Sequence, residues 1–540
     1  LDISTGTFFI ETTSLSSVAS SLSRLSPKEI LLPERLLREG TFAQSIQSWD
    51  KFMVFLPESR FNEANAQESV RESFKTEALE AIGNFCAEAW VAAGVLLSYV
   101  KLTQKGGLPH VLPPRKLSEE KFLSIDTATR LNLELERTLK GERSGSLLSV
   151  IDRTLTNAGG RCLLHDLHFP LTDIGRLQER LDFVSWCVEH PDFITHCRSH
   201  LKMVPDLERA LARLSLNRGG PRDLGVVRDA LQQAVSLKEL GMRYEEKTIL
   251  AEKCFQALEG YQELSEVLSF ALEEDLPLLA RVGGFIASGY STQLDESIQL
   301  RDEGRTLIQN LQTRYVQETG VNTLKIKHNN VLGYYIEVSA QHAKKLPDSE
   351  YIHRQTLASA MRFTTTELAD LEAKLNNAVE EVLRQELQLF EDLVSRVLSY
   401  AKELSTLSQA LARLDVTASH ATLAVEEGYT YPQIDGTHAL HIEKGCHPVV
   451  EDSLKVSGEQ FVTNDCTLSG DQRLWLITGP NMAGKSTFLR QNALIVLLAQ
   501  MGAFVPAEKA HIGVCDRLFS RVGAADDLAR GRSTFPTFNN

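Results

Sequence analysis

The sequence has few cysteines, and their spacing is irregular. Eight cysteines occur in 540 residues, and no two of them are separated by only two residues. Without such a pair, neither a zinc site nor a thioredoxin-like redox site is predicted. We expect free thiols in a reducing compartment. The only close histidine pair, His165-Asp-Leu-His168, is interpreted as a surface feature at the end of a helix.

Long apolar runs and an excess of positive charge are also missing. The longest apolar runs, residues 89–100 and 493–499, fall short of the roughly 18–20 residues that a membrane span requires, so no membrane partner is predicted. The formal net charge is −14, with 24% charged residues. A chain this acidic is not expected to bind nucleic acid over its whole surface, so any contact with a polyanion requires a local basic patch.

A glycine-rich motif is the most informative feature that is present. Gly479-Pro-Asn-Met-Ala-Gly-Lys485-Ser486 fits the phosphate-binding pattern G-x-x-x-x-G-K-[ST]. Residues 473–477 predict a short buried strand before it, and residues 487–500 predict a helix after it. Backbone N–H groups of the loop and the helix start would bind phosphates, with Lys485 at the β- and γ-phosphates and Ser486 on Mg²⁺. The candidate nucleotide-binding residues of the loop are Gly479, Pro480, Asn481, Met482, Ala483, Gly484, Lys485, Ser486 and Thr487.

Composition changes along the chain predict several domains. At 540 residues, about 3 to 5 domains are expected. Residues 1–105 mix short strands and helices, beginning with an alternating run at residues 1–10 that predicts a strand. Glycine and proline concentrate at residues 106–115, which predicts a linker.

A long helix is predicted where glycine and proline are absent. Residues 366–412 contain neither, and apolar residues recur along them with a helical period. One helix of this length would span about 70 Å, which favours a lever or a coiled-coil arm. Two ordinary helices with an unmarked break remain the alternative.

A basic segment precedes this helix. Residues 320–363 carry six basic and three acidic residues within an acidic chain, and two strand-like runs at residues 322–327 and 333–339. The segment fits a surface that contacts phosphates without reading sequence. A solvated loop face is the alternative explanation of the same charge.

Several motifs in order resemble the MutS family of DNA mismatch-repair ATPases, over nearly the whole chain. The matching segments are residues 1–8, 126–134, 205–209, 333–337, 354–357, 478–487, 490–491, 499–506 and 520–535. The resemblance implies a multidomain fold with an α/β connector, an all-α core with long lever helices, a small β-rich clamp and a P-loop (ABC-type) α/β ATPase domain. The implied boundaries are 1–105 for the connector, 106–115 for the linker, 116–318 for core and lever helices, 319–364 for the DNA clamp, 365–428 for lever helices and 429–540 for the ATPase domain.

The resemblance also implies roles for single residues. Asn481 would act near the γ-phosphate, and it joins Lys485 and Ser486 as a candidate catalytic residue, with ATP and Mg²⁺ as cofactors. Phe461 resembles the aromatic that stacks on adenine, although a core phenylalanine is an alternative. Ser533 resembles the signature serine that reaches the nucleotide of the partner subunit. The candidate DNA contacts of the clamp are Lys325, Lys327 and Asn329.

Two departures from the family pattern affect the functional prediction. The domain that reads mismatches would lie before Leu1, and no acidic Walker B strand follows the loop, because the sequence after Phe535 reads Pro-Thr-Phe-Asn-Asn. Such a loop is expected to bind nucleotide but to hydrolyse it slowly, so ATPase activity is expected of the full-length family and left open for this chain. The chain is expected to be a fragment; a truncated protein with another role is the alternative.

The function predicted from the resemblance is that of an ATP-dependent sensor of DNA mismatches or damage. The sensor would close on mismatched double-stranded DNA as a homodimer or as a heterodimer with a MutS homologue. Two alternatives are a truncated, non-catalytic DNA-binding protein and a MutS-like binder of branched recombination DNA. Residues 490–496 and 518–528 resemble the mitochondrial branch of eukaryotic MutS homologues most, which implies a mitochondrial location, with the nucleus or the bacterial cytoplasm as alternatives.

Overall fold

A computed structural model describes residues 1–15, 17–38, 42, 46–76, 78–104, 111–117, 122–329, 331–347, 350–357, 359–470, 472–480 and 483–521. The chain forms two compact units. The first comprises residues 1–218, 226–262 and 400–540, and the second comprises residues 219–225 and 263–399. None of the described helices is both long enough and apolar enough to cross a bilayer.

Helices dominate, and the sheets are small. Residues 1–117 hold β1 (Phe9–Glu11), α1 (Val18–Leu25), β2 (Ile30–Pro33), β3 (Met53–Leu56), α2 (Glu63–Phe74), α3 (Ala87–Thr103) and β4 (Arg115–Leu117). Residues 122–271 hold β5 (Ser124–Ile125), α4 (Thr127–Asn132), α5 (Leu147–Ile151), α6 (Asn157–His168), α7 (Ile174–Glu189), α8 (Pro191–Leu201), α9 (Leu207–Ser215), α10 (Pro221–Met242), α11 (Ile249–Gln256) and α12 (Gln262–Ala271).

The remaining elements follow in the same chain order. Residues 292–399 hold α13 (Thr292–Thr319), β6 (Lys325–Asn329), β7 (Gly333–Ser339), β8 (Ile352–Thr356), β9 (Ala360–Thr364) and α14 (Thr366–Ser399). Residues 401–518 hold α15 (Ala401–Glu427), β10 (Gln433–Asp435), β11 (Leu440–Gly445), α16 (Pro448–Ser457), β12 (Asn464–Leu468), α17 (Lys485–Met501), β13 (Lys509–Gly513) and β14 (Arg517–Leu518).

The first strand is shorter than the sequence predicts. Strand β1 covers only Phe9–Glu11, and it pairs in parallel with β4. A turn occupies the preceding residues: the Asp2 carboxylate accepts from the Ser4 backbone N–H at 2.8 Å, and Gly6 N–H donates to the Asp2 carbonyl at 2.9 Å. The prediction of a strand over residues 1–10 is therefore wrong for most of the run, because a short side-chain acceptor favours a local turn over a ladder.

A buried ion cluster lies at the end of α6. Asp166 is fully buried, and its carboxylate accepts from Arg180 of α7 at 2.9 Å and from Arg413 of α15 at 2.6 Å. His168 is also buried, and it contacts Glu136. The interpretation of His165-Asp-Leu-His168 as a surface feature is thus wrong for Asp166 and His168. Oppositely charged side chains from distant elements offset the desolvation cost of burying them.

In the second unit, α13 and α14 form a long antiparallel pair. Ser297 near the start of α13 accepts from Gln385 in the second half of α14 at 3.1 Å, and Tyr315 near the end of α13 contacts Thr365, just before α14, at 2.7 Å. The four-stranded antiparallel sheet β6–β7–β9–β8 lies between them in sequence. Its inner face packs Ile336, Val338 and other apolar residues against the helix ends.

The predicted single long helix is two helices. Helix α14 ends at Ser399, and α15 begins at Ala401, with Tyr400 between them outside helical geometry (φ −98°, ψ 11°). At 34 residues, α14 is about 51 Å long. Helix α15 is buried on most faces, where it packs on α6, α7 and α8. Neither glycine nor proline lies at the break, and the buried run of α15 begins at Ala401.

Candidate nucleotide and DNA sites

The glycine-rich loop opens helix α17. Gly484 is its N-cap residue with φ +84°, a left-handed conformation that favours glycine, and Phe488 N–H donates to the Gly484 carbonyl at 2.9 Å. The Lys485 side chain folds back on the loop. Its Nζ contacts the carbonyl oxygen of Gly479 and lies 2.7 Å from that of Pro480. The prediction of a helix after the loop is confirmed.

The predicted strand before the loop is wrong in this structure. Residues 473–480 have no strand geometry, and Leu474 and Leu476 are 86% and 90% exposed. A strand buried on both faces needs hydrogen-bonded neighbours. Among the described strands, β10–β13–β11–β12 form a sheet that does not include these residues. Within this run, the Trp475 ring stacks on Phe488 of α17, with ring centroids 6.2 Å apart.

The described part of the loop fits a phosphate group. Ser486 is exposed at the start of a 17-residue helix that has no acidic residue in its first turn, so its N-terminal N–H groups and dipole favour an anion. The predicted role of Ser486 in holding Mg²⁺ stays a prediction, and its hydroxyl offers one oxygen for it. No group of three or more metal-ligating side chains occurs within the described residues.

Other predicted site residues differ in how far the structure describes them. Asn481, Met482 and Ser533 lie outside the described residues. Phe461 lies three residues before β12 and is half-buried, so it is not a fully buried core residue. Its role in stacking on adenine stays a prediction.

Contacts of α17 with the segment at residues 124–134 were not predicted. Glu134 lies 3.6 Å from Arg490 of α17. Ser520 exchanges hydrogen bonds with Thr129, which accepts from the Ser520 N–H at 2.8 Å, and Asn132 donates to the Ser520 carbonyl at 3.0 Å. Residues 124–134 therefore contact both the helix that follows the loop and the segment that leads towards Ser533. No sequence pattern indicates these contacts, since the residues that form them lie more than 350 positions apart in the chain.

The other end of α17 is fixed to the helical core. Gln500 is fully buried, and its side chain donates to the carbonyls of Leu171 at 2.8 Å and Cys515 at 3.0 Å. Arg180 of the Asp166 cluster donates to the Met501 carbonyl at 2.8 Å. The Met501 carbonyl is one of the free acceptors at the helix C-terminus, and the Gln500 side chain bonds two segments outside the helix, so both residues hold this end of α17 in place.

The three candidate DNA contacts lie on strand β6, and their side chains differ in the partners that they bind. Lys325 and Lys327 are exposed on β6, and Lys327 pairs with Glu337 of β7 at 2.6 Å. Asn329 has a structural contact, because its side-chain oxygen accepts from the backbone N–H groups of Val331 at 3.0 Å and Leu332 at 2.7 Å. This contact stabilises the β6–β7 turn.

The fold adds a third basic residue, Arg362, to this surface. The strand register places Arg362 of β9 directly across from Glu337, and Lys325 on its other side. The guanidinium of Arg362 lies 4.4 Å from the centre of the Tyr335 ring. Arg362 contributes to the basic charge of residues 320–363, and the sheet register shows that it shares a face with Lys325 and Lys327.

We expect Gly333→Ala to destabilise the β6–β7 hairpin by about 2–3 kcal/mol. Gly333 has φ +68°, which costs an alanine ~1–2 kcal/mol. A Cβ atom would also lie 1.8 Å from the Glu372 carboxylate, which accepts from Tyr334 N–H at 3.0 Å, and displacing it costs about 1 kcal/mol more. Hydrogen exchange of the hairpin amides measures the change.

Gly320→Ala is the matched control for this substitution. Gly320 lies in the same unit with φ +64°, but open space surrounds the position of its Cβ atom. It should show only the backbone cost. Equal losses in the two variants would contradict a role for the Glu372 contact.

The fold and these sites define a class of protein. It is a multidomain, helix-rich protein. A glycine-rich loop with the phosphate-binding pattern precedes a helix, and a small sheet with a basic face connects two long helices. Comparison with sequence profiles of known families then gives three matches: MutS domain II at residues 1–112, MutS domain III at residues 128–421 and MutS domain V at residues 475–538. The chain belongs to the MutS family.

Two relatives with curated names are bacterial. The chain is 46% identical over 542 residues to DNA mismatch repair protein MutS of Roseobacter denitrificans, covering 99% of this chain and 61% of that relative. It is 45% identical over 552 residues to the protein of the same name in Nitrobacter winogradskyi, covering 99% and 62%. The chain thus spans about three fifths of the length of these relatives. Their bacterial origin gives the mitochondrial branch no support and agrees with the bacterial alternative.

Proposed function

We propose that this chain is the part of a bacterial-type mismatch-repair protein that binds duplex DNA and ATP. The observation that carries the proposal is its match, over 99% of its length, to proteins named DNA mismatch repair protein MutS. In this proposal ATP occupies the loop at residues 479–487, and the DNA backbone contacts the outer face of the sheet β6–β9. The partner is a second MutS subunit.

The nucleotide site in this proposal uses residues that the loop brings together. Lys485 leaves the carbonyls of Gly479 and Pro480 and contacts the phosphates, since an anion outcompetes neutral carbonyls for an ammonium group. Ser486 would hold Mg²⁺, and the ion would supply positive charge to the phosphates. Asn481 acts near the γ-phosphate, and Ser533 contacts the nucleotide of the partner subunit. Phe461 is the candidate for stacking on adenine.

The DNA site in this proposal is electrostatic. Lys325 and Lys327 of β6 and Arg362 of β9 lie on the two sides of β7, on one face of the sheet. Such contacts bind phosphates of any sequence and weaken steeply with salt. Discrimination of a mismatch is therefore assigned to parts of the relatives that lie outside this chain, or to duplex flexibility.

The test is binding of the chain to a duplex with one mismatch and to its matched twin. Each duplex is measured with and without ATP at two salt concentrations, with a four-way junction as a third substrate. We expect equal binding to both duplexes, falling at least about tenfold between 50 and 200 mM salt. Preference for the junction would favour the branched-DNA alternative. Absence of binding to all three would contradict the proposal.

A further inference from the structure

One carboxylate lies in the middle of the basic face of the sheet β6–β9. Glu337 is the only acidic residue in the four strands. Register places Lys325 opposite it on β6 and Arg362 opposite it on β9. The residues on either side of Glu337 in β7, Ile336 and Val338, point inwards and belong to the apolar cluster under the sheet. The carboxylate is thus surrounded by the cations of the outer face.

Glu337 holds two of these cations at once. One carboxylate oxygen lies 2.6 Å from Lys327 Nζ, and the other lies 3.3 Å from Arg362 Nε. Arg362 is held further by Gln355, whose side-chain oxygen accepts from it at 2.8 Å, and by the Tyr335 ring. The side chains of Glu337 and Arg362 are only 20% and 19% exposed, so the pair is shielded from solvent more than an ordinary surface pair. Hydrogen bonds from Lys327 and Arg362 outweigh burial and lower the pKa of Glu337, which keeps it charged.

A phosphate that approaches this face meets both attraction and repulsion. Lys325 has no ion pair among the described residues, whereas Lys327 and Arg362 already have an anionic partner. A phosphate must share or displace that partner, and the charge of Glu337 repels it. The face therefore has fewer free cations than its sequence suggests.

We infer that Glu337 limits the affinity of this face for duplex DNA by occupying the two cations that a backbone phosphate would otherwise contact. The inference rests on the proposed function, because it needs the face to bind DNA. Because the Glu337 carboxylate competes with DNA phosphates for Lys327 and Arg362, non-specific binding of DNA to this face stays weak. Weak, exchangeable phosphate contacts are those that let a protein move along a duplex.

The test is duplex binding by the Glu337→Gln variant of the chain over a series of salt concentrations. Glutamine keeps the size of the side chain and an oxygen that accepts from Arg362, but it removes the charge. We expect binding roughly 5- to 20-fold tighter at about 0.1 M salt, and a plot of log affinity against log salt that is steeper by about 1, since one more phosphate is neutralised.

Glu350→Gln is the matched control. Glu350 is an exposed acidic residue of the same segment, outside the strands and without an ion pair among the described residues. Its substitution changes the net charge equally and should tighten binding less than about twofold. Equal gains in the two variants would overturn the inference, because net charge alone would then explain them.

A double-mutant cycle with Lys327→Gln tests the competition itself. If Glu337 occupies Lys327, the loss of Lys327 should weaken DNA binding more in the Glu337→Gln background than in the wild-type chain. Additive effects would contradict the inference. If the wild-type chain binds DNA and Glu337→Gln leaves its affinity unchanged, the inference fails while the proposed function stands. If none of the chains binds DNA, both fail.

Discussion

Lys485→Ala should remove the response of the chain to ATP and leave its binding to DNA intact. The ammonium group of Lys485 is the one cation of the loop, and it already lies over the carbonyls of Gly479 and Pro480, where phosphates would be bound. A hydrogen bond between charged groups is worth about 1.5–3 kcal/mol. Losing it should weaken nucleotide binding roughly 10- to 100-fold. Titration with a fluorescent ATP analogue measures this loss, and release of prebound duplex on addition of ATP measures its consequence.

Lys509→Ala is the control for the loss of a lysine. Its side chain is 69% exposed in strand β13, where it pairs with Glu443 at 3.2 Å, outside the loop. This variant should bind nucleotide as the wild-type chain does. Loss of duplex binding by Lys485→Ala, with the fold intact, would contradict the separation of nucleotide and DNA sites that the proposed function requires.

Asp166→Asn should have the largest effect on stability. The Asp166 carboxylate is fully buried between two guanidinium groups, those of Arg180 and Arg413. Burial alone would raise the pKa of this carboxyl, but the two arginines outweigh it and hold the pKa well below its usual range. Asparagine keeps the shape and removes the charge, so two buried cations lose their counter-ion. Breaking such a cluster costs about 3–5 kcal/mol.

The measurement is native-state hydrogen exchange of amides in α6 and α15. A chain of two units does not unfold in one step, so local opening free energies are more informative than a single transition. The end of α17 should also open more easily, because Arg180 donates to the Met501 carbonyl. Glu58→Gln breaks an exposed pair with Arg35 at 3.6 Å and should cost less than about 1 kcal/mol. A similarly small cost for Asp166→Asn would refute the role of the cluster.

Local features of the sequence predicted several elements well. The glycine loop and the helix after it depend on neighbouring residues, and helix α17 begins at Lys485 as the motif requires. Strand β7 matches the predicted run at residues 333–339, because alternating apolar residues specify a strand with one buried face. Family membership also followed from motifs in order, since such motifs are contiguous in sequence.

Elements that depend on distant partners were predicted less well. The run at residues 473–477 has the composition of a buried strand, but composition does not supply a neighbour to pair with, and the run stays exposed. His168 looked like a surface residue until Glu136, on another segment, was placed beside it. The domain boundaries that the resemblance implies stay predictions.

The sequence by itself determined the phosphate-binding pattern of the glycine-rich loop, the helical period of the long helices, the basic character of residues 320–363 and the family. Each of these depends on residues close together in the chain. Only the tertiary structure decided where the long helix breaks at Tyr400, which buried charges form the Asp166 cluster, and that Glu337 holds two of the cations on the basic face. These features depend on contacts between segments that packing and strand register bring together, and the free energy of such contacts is not written in any one stretch of sequence.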